Sequence, residues 1–85
     1  MIKCPCCGSN TIDDSMSGGD PDFIFGEICP VCFWQYDWVA QAHPDIAIGP
    51  NHGVSLNQAK INYKEFGACR REVLAYVRPP REDEL

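Results

Sequence analysis

CPCC at residues 4–7 and CPVC at residues 29–32 are two copies of one turn, Cys-Pro-x-Cys, and the fold follows from how they are read. Each turn puts two thiols on one tight loop. The 21 residues between Cys7 and Cys29 let the two loops meet around a single tetrahedral ion. The spacing therefore predicts a four-cysteinate zinc site made by Cys4, Cys7, Cys29 and Cys32. A zinc held by four cysteines keeps no open coordination position, so the motif speaks for a stable fold more than for an activity.

Within CPCC three cysteines compete for two ligand places. Cys4 and Cys7 have the chelating separation, whereas Cys6 and Cys7 are adjacent, which leaves Cys6 as a buried neighbouring thiol. Pro5 fixes its own φ near the value the turn needs. Gly8 can take a positive φ and let backbone N–H groups turn toward the sulfurs.

Working outward, the chain has 85 residues, a length at which about 60–65% of the unfolded surface is buried and a metal or disulfide staple is expected. Its six cysteines are an even number, which also fits a disulfide framework. No apolar leader precedes Cys4, so the expectation is a cytoplasmic, reducing setting in which thiolates persist. The longest uninterrupted apolar stretch, Val73 to Val77, is far short of the ~18 residues a membrane span requires.

Formal net charge is -5, from 7 Lys plus Arg against 12 Asp plus Glu. Four thiolates and one divalent ion would bring it to about -7. That balance opposes a general phosphate-binding face. Lys60, Lys64, Arg70, Arg71, Arg78 and Arg81 all lie in the C-terminal third, as a local basic patch or as a solvated helix face.

Ile12 marks a short strand, and SGGDPD at 17–22 is a loop. DFIFGEI at 22–28 reads as a strand delivering Cys29, and FWQYDW at 33–38 as its hairpin partner. In that strand Trp34, Tyr36 and Trp38 share one face and Phe33, Gln35 and Asp37 the other. The aromatic row has two readings, cover for a small core or a binding face. Residues 41–53 are irregular and hold His43 and His52, which a completed cysteine shell leaves without a metal role.

GVSLNQAKINYKEFG at 53–67 is the best helix. Ser55 is its N-cap, with Gln58 completing a capping box, and Gly67 its C-terminal glycine. Leu56, Ala59, Tyr63 and Phe66 form its apolar stripe. A second helix is expected from Cys69 to about Tyr76, with Cys69, Val73 and Val77 inward and Pro79 and Pro80 as its stop. The expected class is small α+β: a zinc-ribbon-like β-hairpin carrying both turns, packed on one or two C-terminal helices. The organisation is one domain over 1–85, with knuckles and hairpin in 1–50, helices in 51–78 and a tail in 79–85 whose acidic end, Glu82 to Leu85, is expected to fray.

CPCCG near the N-terminus, EICPVCFW at 27–34 and NHGVSLNQAKINYKEFGAC at 51–69 together resemble the cysteine-rich CPCC domain, a group of small bacterial proteins. The resemblance covers roughly Cys4 to Cys69 and implies a zinc-binding domain. In the family pattern the segment after CFW is acidic. Here it is Gln35, Tyr36 and Asp37, so only Asp37 matches it.

Three functions fit these observations. The first is a zinc-stabilised protein–protein interaction module, in one version a neutralising, immunity- or antitoxin-like partner of a basic toxin or nuclease. The second is a nucleic-acid-binding ribbon whose aromatics stack on unpaired bases. The third is a thiol redox protein using CPCC, which lacks the strand-to-helix context such chemistry needs. The expectation is a protein that is not an enzyme, without a small-molecule substrate. An iron–sulfur cluster is the chemical alternative to zinc for the same thiols.

Overall fold

The computed structural model describes residues 1–14, 26–47 and 49–85. Strand β1 (Ile2–Lys3) pairs antiparallel with β2 (Asn10–Ile12) across the first Cys-Pro-x-Cys turn. The pairs are Ile2 with Ile12 and Lys3 with Asn10, so Thr11 is an extra residue on β2. Such a bulge re-aims a side chain. Both Thr11 and Ile12 are buried, although strict alternation would send one of them outward.

The two turns are built alike. In the first, Gly8 N–H donates to Cys4 O at 2.9 Å and Cys4 N–H to Ser9 O at 2.8 Å. In the second, Phe33 N–H donates to Cys29 O at 2.7 Å and Cys29 N–H to Trp34 O at 3.0 Å. The residue after the last cysteine is left-handed in both, with φ 80° at Gly8 and 67° at Phe33. Glycine takes that conformation freely, while Phe33 holds it at a cost of roughly 1–2 kcal/mol.

Past the second turn the chain pairs less than the aromatic alternation predicts. Residues 22–25 of the expected first hairpin strand lie outside the described residues. Beyond them, Ile28 and Gln35 form an isolated antiparallel bridge, and Tyr36 N–H donates to Glu27 O at 2.7 Å. The expected strand over 33–38 stops there, because Asp37 caps a short helix α1 (Trp38–Ala42) by accepting from Val39 N–H at 3.2 Å. Trp34 and Tyr36 are core residues at 0% and 3% exposure, as the core reading of the aromatic row expects, and Trp38, carried onto α1, is 45% exposed.

Helix α2 (Leu56–Phe66) forms where the sequence places it. Ser55 Oγ accepts from Gln58 N–H, and Gly67 ends the helix in the left-handed conformation with its N–H bonded to Tyr63 O. The reciprocal half of the capping box does not form, because Gln58 Nε2 donates instead to Asn62 Oδ1 one turn on. Leu56 and Ala59 are buried, with Tyr63 and Phe66 half-buried beside them.

The expected second helix is a 3₁₀ helix over Arg71–Tyr76. Its flanks are tied across the second turn: Cys69 N–H donates to Cys32 O at 2.8 Å and Arg78 N–H to Pro30 O at 3.3 Å. The inward series holds, with Cys69 and Val73 buried and Val77 half-buried.

The C-terminal end is not frayed. Residues Glu82–Glu84 form a 3₁₀ turn that packs on β2. The Arg78 guanidinium grips Glu84 with two hydrogen bonds of 2.7 and 2.8 Å, and Arg81 N–H adds a third at 2.8 Å. The result is a small α+β structure whose core joins the cysteines to Ile12, Val31, Trp34, Leu56 and Val73.

Candidate metal centre

The sulfurs of Cys4, Cys7, Cys29 and Cys32 all lie within 4.8 Å of one another. Two of the separations cross between the turns: Cys4 to Cys32 at 3.5 Å and Cys7 to Cys29 at 3.6 Å. A tetrahedron of thiolates with metal–sulfur bonds of about 2.3 Å has sulfur–sulfur edges of about 3.8 Å, so the donor set fits one ion. All six cysteines are free thiols, which sets aside the disulfide framework. Cys4, Cys29 and Cys32 are buried, and Cys7 is partly exposed at the edge of the cluster.

Thiols packed this closely do not share protons evenly. Cys29 is held far below the ordinary thiol range, chiefly by hydrogen bonding with Cys32, then Cys4 and Cys7, with Thr11 adding to it. Cys32 and Cys4 are pushed far above that range, in each case chiefly by hydrogen bonding with Cys29. Cys7 is lowered to about 7: its contact with Cys29 opposes the shift, and hydrogen bonds with Cys32, Cys4 and the Ser9 backbone outweigh it. A divalent cation removes this competition, because a coordinating thiol is deprotonated outright.

Thr11 is the neighbour sequence reasoning missed. Its Oγ1 lies 2.9 Å from Cys29 Sγ, where it would donate to a thiolate, and the β2 bulge turns it inward. The extra residue leaves no mark in composition or periodicity. Groups that hydrogen-bond a metal ligand fix its orientation and tune its basicity. Tyr63, on the inward stripe of α2, feels the cluster as well: its hydroxyl is raised by burial and then by the charge of Cys7, Cys32 and Cys29.

The remaining candidates fall outside the four-sulfur set. Cys6 is buried and is among the neighbours that raise Cys32, the place expected for a packed neighbouring thiol. Cys69 is fully buried and raised to about 11, by burial and then by Cys6 nearby, with Arg70 opposing. His43 and His52 are exposed. A second residue missed in the sequence is Asn51, 1% exposed, whose amide accepts from Gln35 N–H at 2.8 Å and donates to Gln35 O at 2.9 Å. It supplies with a side chain the two bonds a neighbouring strand would give.

Two Cys-Pro-x-Cys turns facing each other across a closed set of sulfurs define a small cysteine-cluster domain able to hold one metal ion. The family model for the cysteine-rich CPCC domain matches residues 2–84, and the chain belongs to that family. No curated protein and no solved structure matches it. No helix among the described residues is long and apolar enough to cross a membrane.

Proposed function

We propose that Cys4, Cys7, Cys29 and Cys32 hold one structural zinc ion in a zinc-ribbon-like centre, and that the domain is a protein–protein interaction module with no catalytic role. The observation that carries the metal reading is the closed four-sulfur cluster, which matches a tetrahedral shell and leaves no position for substrate. Zinc suits four thiolates in that geometry, and iron in their place would give visible colour. Recognition then falls to surface side chains. Tyr76, Ile61, Trp38 and Ile28 are large apolar residues left exposed on an acidic chain. The partner this favours is basic, such as a toxin or nuclease that the domain neutralises, since complementary charge speeds encounter.

Base stacking draws less support than that. Trp34 and Tyr36, two of the three aromatics in the row beside the second turn, lie in the core, and the charge balance opposes phosphate contacts.

The metal half is tested by cysteine variants. Cys29→Ser or Cys32→Ser gives insoluble or molten protein, while Cys6→Ser and Cys69→Ser keep the metal. Loss of metal in Cys6→Ser with retention in Cys4→Ser would overturn the ligand set. The partner half is tested by affinity capture from the native host. A stoichiometric basic protein whose complex weakens with salt supports it, and recovery of no stoichiometric partner counts against it.

A further inference from the structure

A cleft of about 610 Å³ opens between α2 and the start of the 3₁₀ helix, walled by Val54 and Phe66. Two guanidinium groups, Arg70 and Arg71, and two carboxylates, Glu65 and Glu72, line it. A smaller recess of about 120 Å³ shares Arg70 and His52 with it and is lined as well by Ile28 and Phe33. Arg70 thus lines both spaces, with apolar side chains in each.

The two cations are not equivalent. Arg71 lies over the Phe66 ring at 4.6 Å, so its charge already rests on a π-face. The Arg70 side chain is only 13% exposed, and among the described residues the carboxylate within 4 Å of it is that of Glu72. That approach, Nε to Oε2, is 3.7 Å, beyond hydrogen-bond reach, and the Glu72 side chain is 76% exposed and hydrated. Most of the Arg70 side chain is packed away, yet none of its guanidinium nitrogens is both buried and without a partner, so the head group stays open to an incoming anion at the cleft.

We propose that this cleft binds a monocarboxylate carried on an apolar body, with Arg70 gripping the carboxylate through a paired hydrogen bond and Val54 and Phe66 holding the body. The fork of a guanidinium matches a carboxylate bidentately. Glu65 and Glu72 in the same cleft repel a second negative charge, which disfavours a phosphate dianion. Mixed walls of apolar side chains with a few convergent polar groups are what small-molecule sites use. The ligand is an aromatic or aliphatic carboxylate, free or as the C-terminal residue of a peptide. This site stands apart from the cysteine cluster, and its test does not depend on which protein the domain binds.

The test is a ¹H–¹⁵N chemical-shift titration of the metal-loaded full chain with four probes. These are N-acetylphenylalanine, its uncharged amide, inorganic phosphate, and a short peptide ending in a free phenylalanine. The acid is expected to give saturable shifts at the Arg70 side-chain Nε–H and the Val54 and Phe66 amides, with a dissociation constant at least about tenfold below that of the amide. Arg70→Lys weakens the acid several-fold, because it keeps the charge but loses the fork, and Arg70→Gln brings it to the level of the amide. A peptide about tenfold tighter than the acid assigns the site to C-termini, and equal affinity assigns it to free carboxylates. The proposal is overturned if acid and amide bind alike, if phosphate binds as tightly as the acid, or if no probe gives saturable shifts below about 10 mM. The comparison among probes on the unsubstituted chain decides the matter even where an Arg70 variant does not fold.

Discussion

Gly8 offers a test of the turn geometry in which packing plays no part. Its φ is +80°, and a Cβ built on it would meet nothing within 4 Å. Any cost of a side chain there is therefore backbone strain, roughly 1–2 kcal/mol for an L residue in the left-handed region. In a domain of this size about 1 kcal/mol moves the midpoint by roughly 4–8 °C, so Gly8→Ala lowers it by about 4–16 °C. Gly8→Asn costs about half of that, since asparagine tolerates the left-handed region, and Gly8→Val costs more than alanine because a β-branched side chain tolerates it least. The assay is thermal unfolding of the metal-loaded variants at one fixed concentration of free metal, because bound ligand shifts apparent stability by mass action. The order Gly, Asn, Ala, Val, from most to least stable, is set by φ alone. An alanine variant within about 2 °C of the parent, or asparagine no better than alanine, would refute the assigned turn.

Three further outcomes follow from the contacts described. Asn51→Asp loses the donor to Gln35 O and sets a carboxylate in a buried place, and Asn51→Leu strands both backbone groups of Gln35; each costs about 2–4 kcal/mol in urea unfolding. Thr11→Val keeps the shape but removes the hydroxyl beside Cys29 Sγ, and chelator competition should show metal affinity lower by about 10–100-fold with the fold intact. Glu84 is lowered to about 2, by its hydrogen bond to Arg78 and then by the Arg81 backbone N–H, from an ordinary value of 4.5. Its contribution is therefore full above 4.5 and lost as pH falls toward 2, and the stability gap between the parent and Glu84→Gln should narrow over that range.

The parts of the fold that were legible in the sequence are those that local chemistry decides. Ser55 and Gly67 bracket α2 because a hydroxyl cap and a left-handed glycine act on their own neighbours. The two turns announce their four thiols because Cys-Pro-x-Cys is a local geometry, and the structure brings those four sulfurs together. The strand expected over 33–38 failed at Asp37: the alternation of Trp34, Tyr36 and Trp38 matches a strand, yet an aspartate before WVAQA is also an N-cap signal. The tail was expected to fray because the partnership of Arg78 with Glu84 is invisible to periodicity. Thr11, Asn51 and Arg70 were missed as site or anchor residues for a shared reason. Each acts on a group distant in the chain, or on a space enclosed only once the chain has folded.

The central claim is that one ion, held by thiolates from both turns, supports the structure. Structural zinc binds with roughly 10–16 kcal/mol, as much as or more than the stability of a small domain, so the metal and the fold should be lost together. The direct measurement is metal content of natively purified protein, followed by spectra in excess chelator. The account predicts about one equivalent of zinc per chain and collapse of spectral dispersion once it is stripped. Less than half an equivalent, with well-dispersed spectra persisting in chelator, would contradict it.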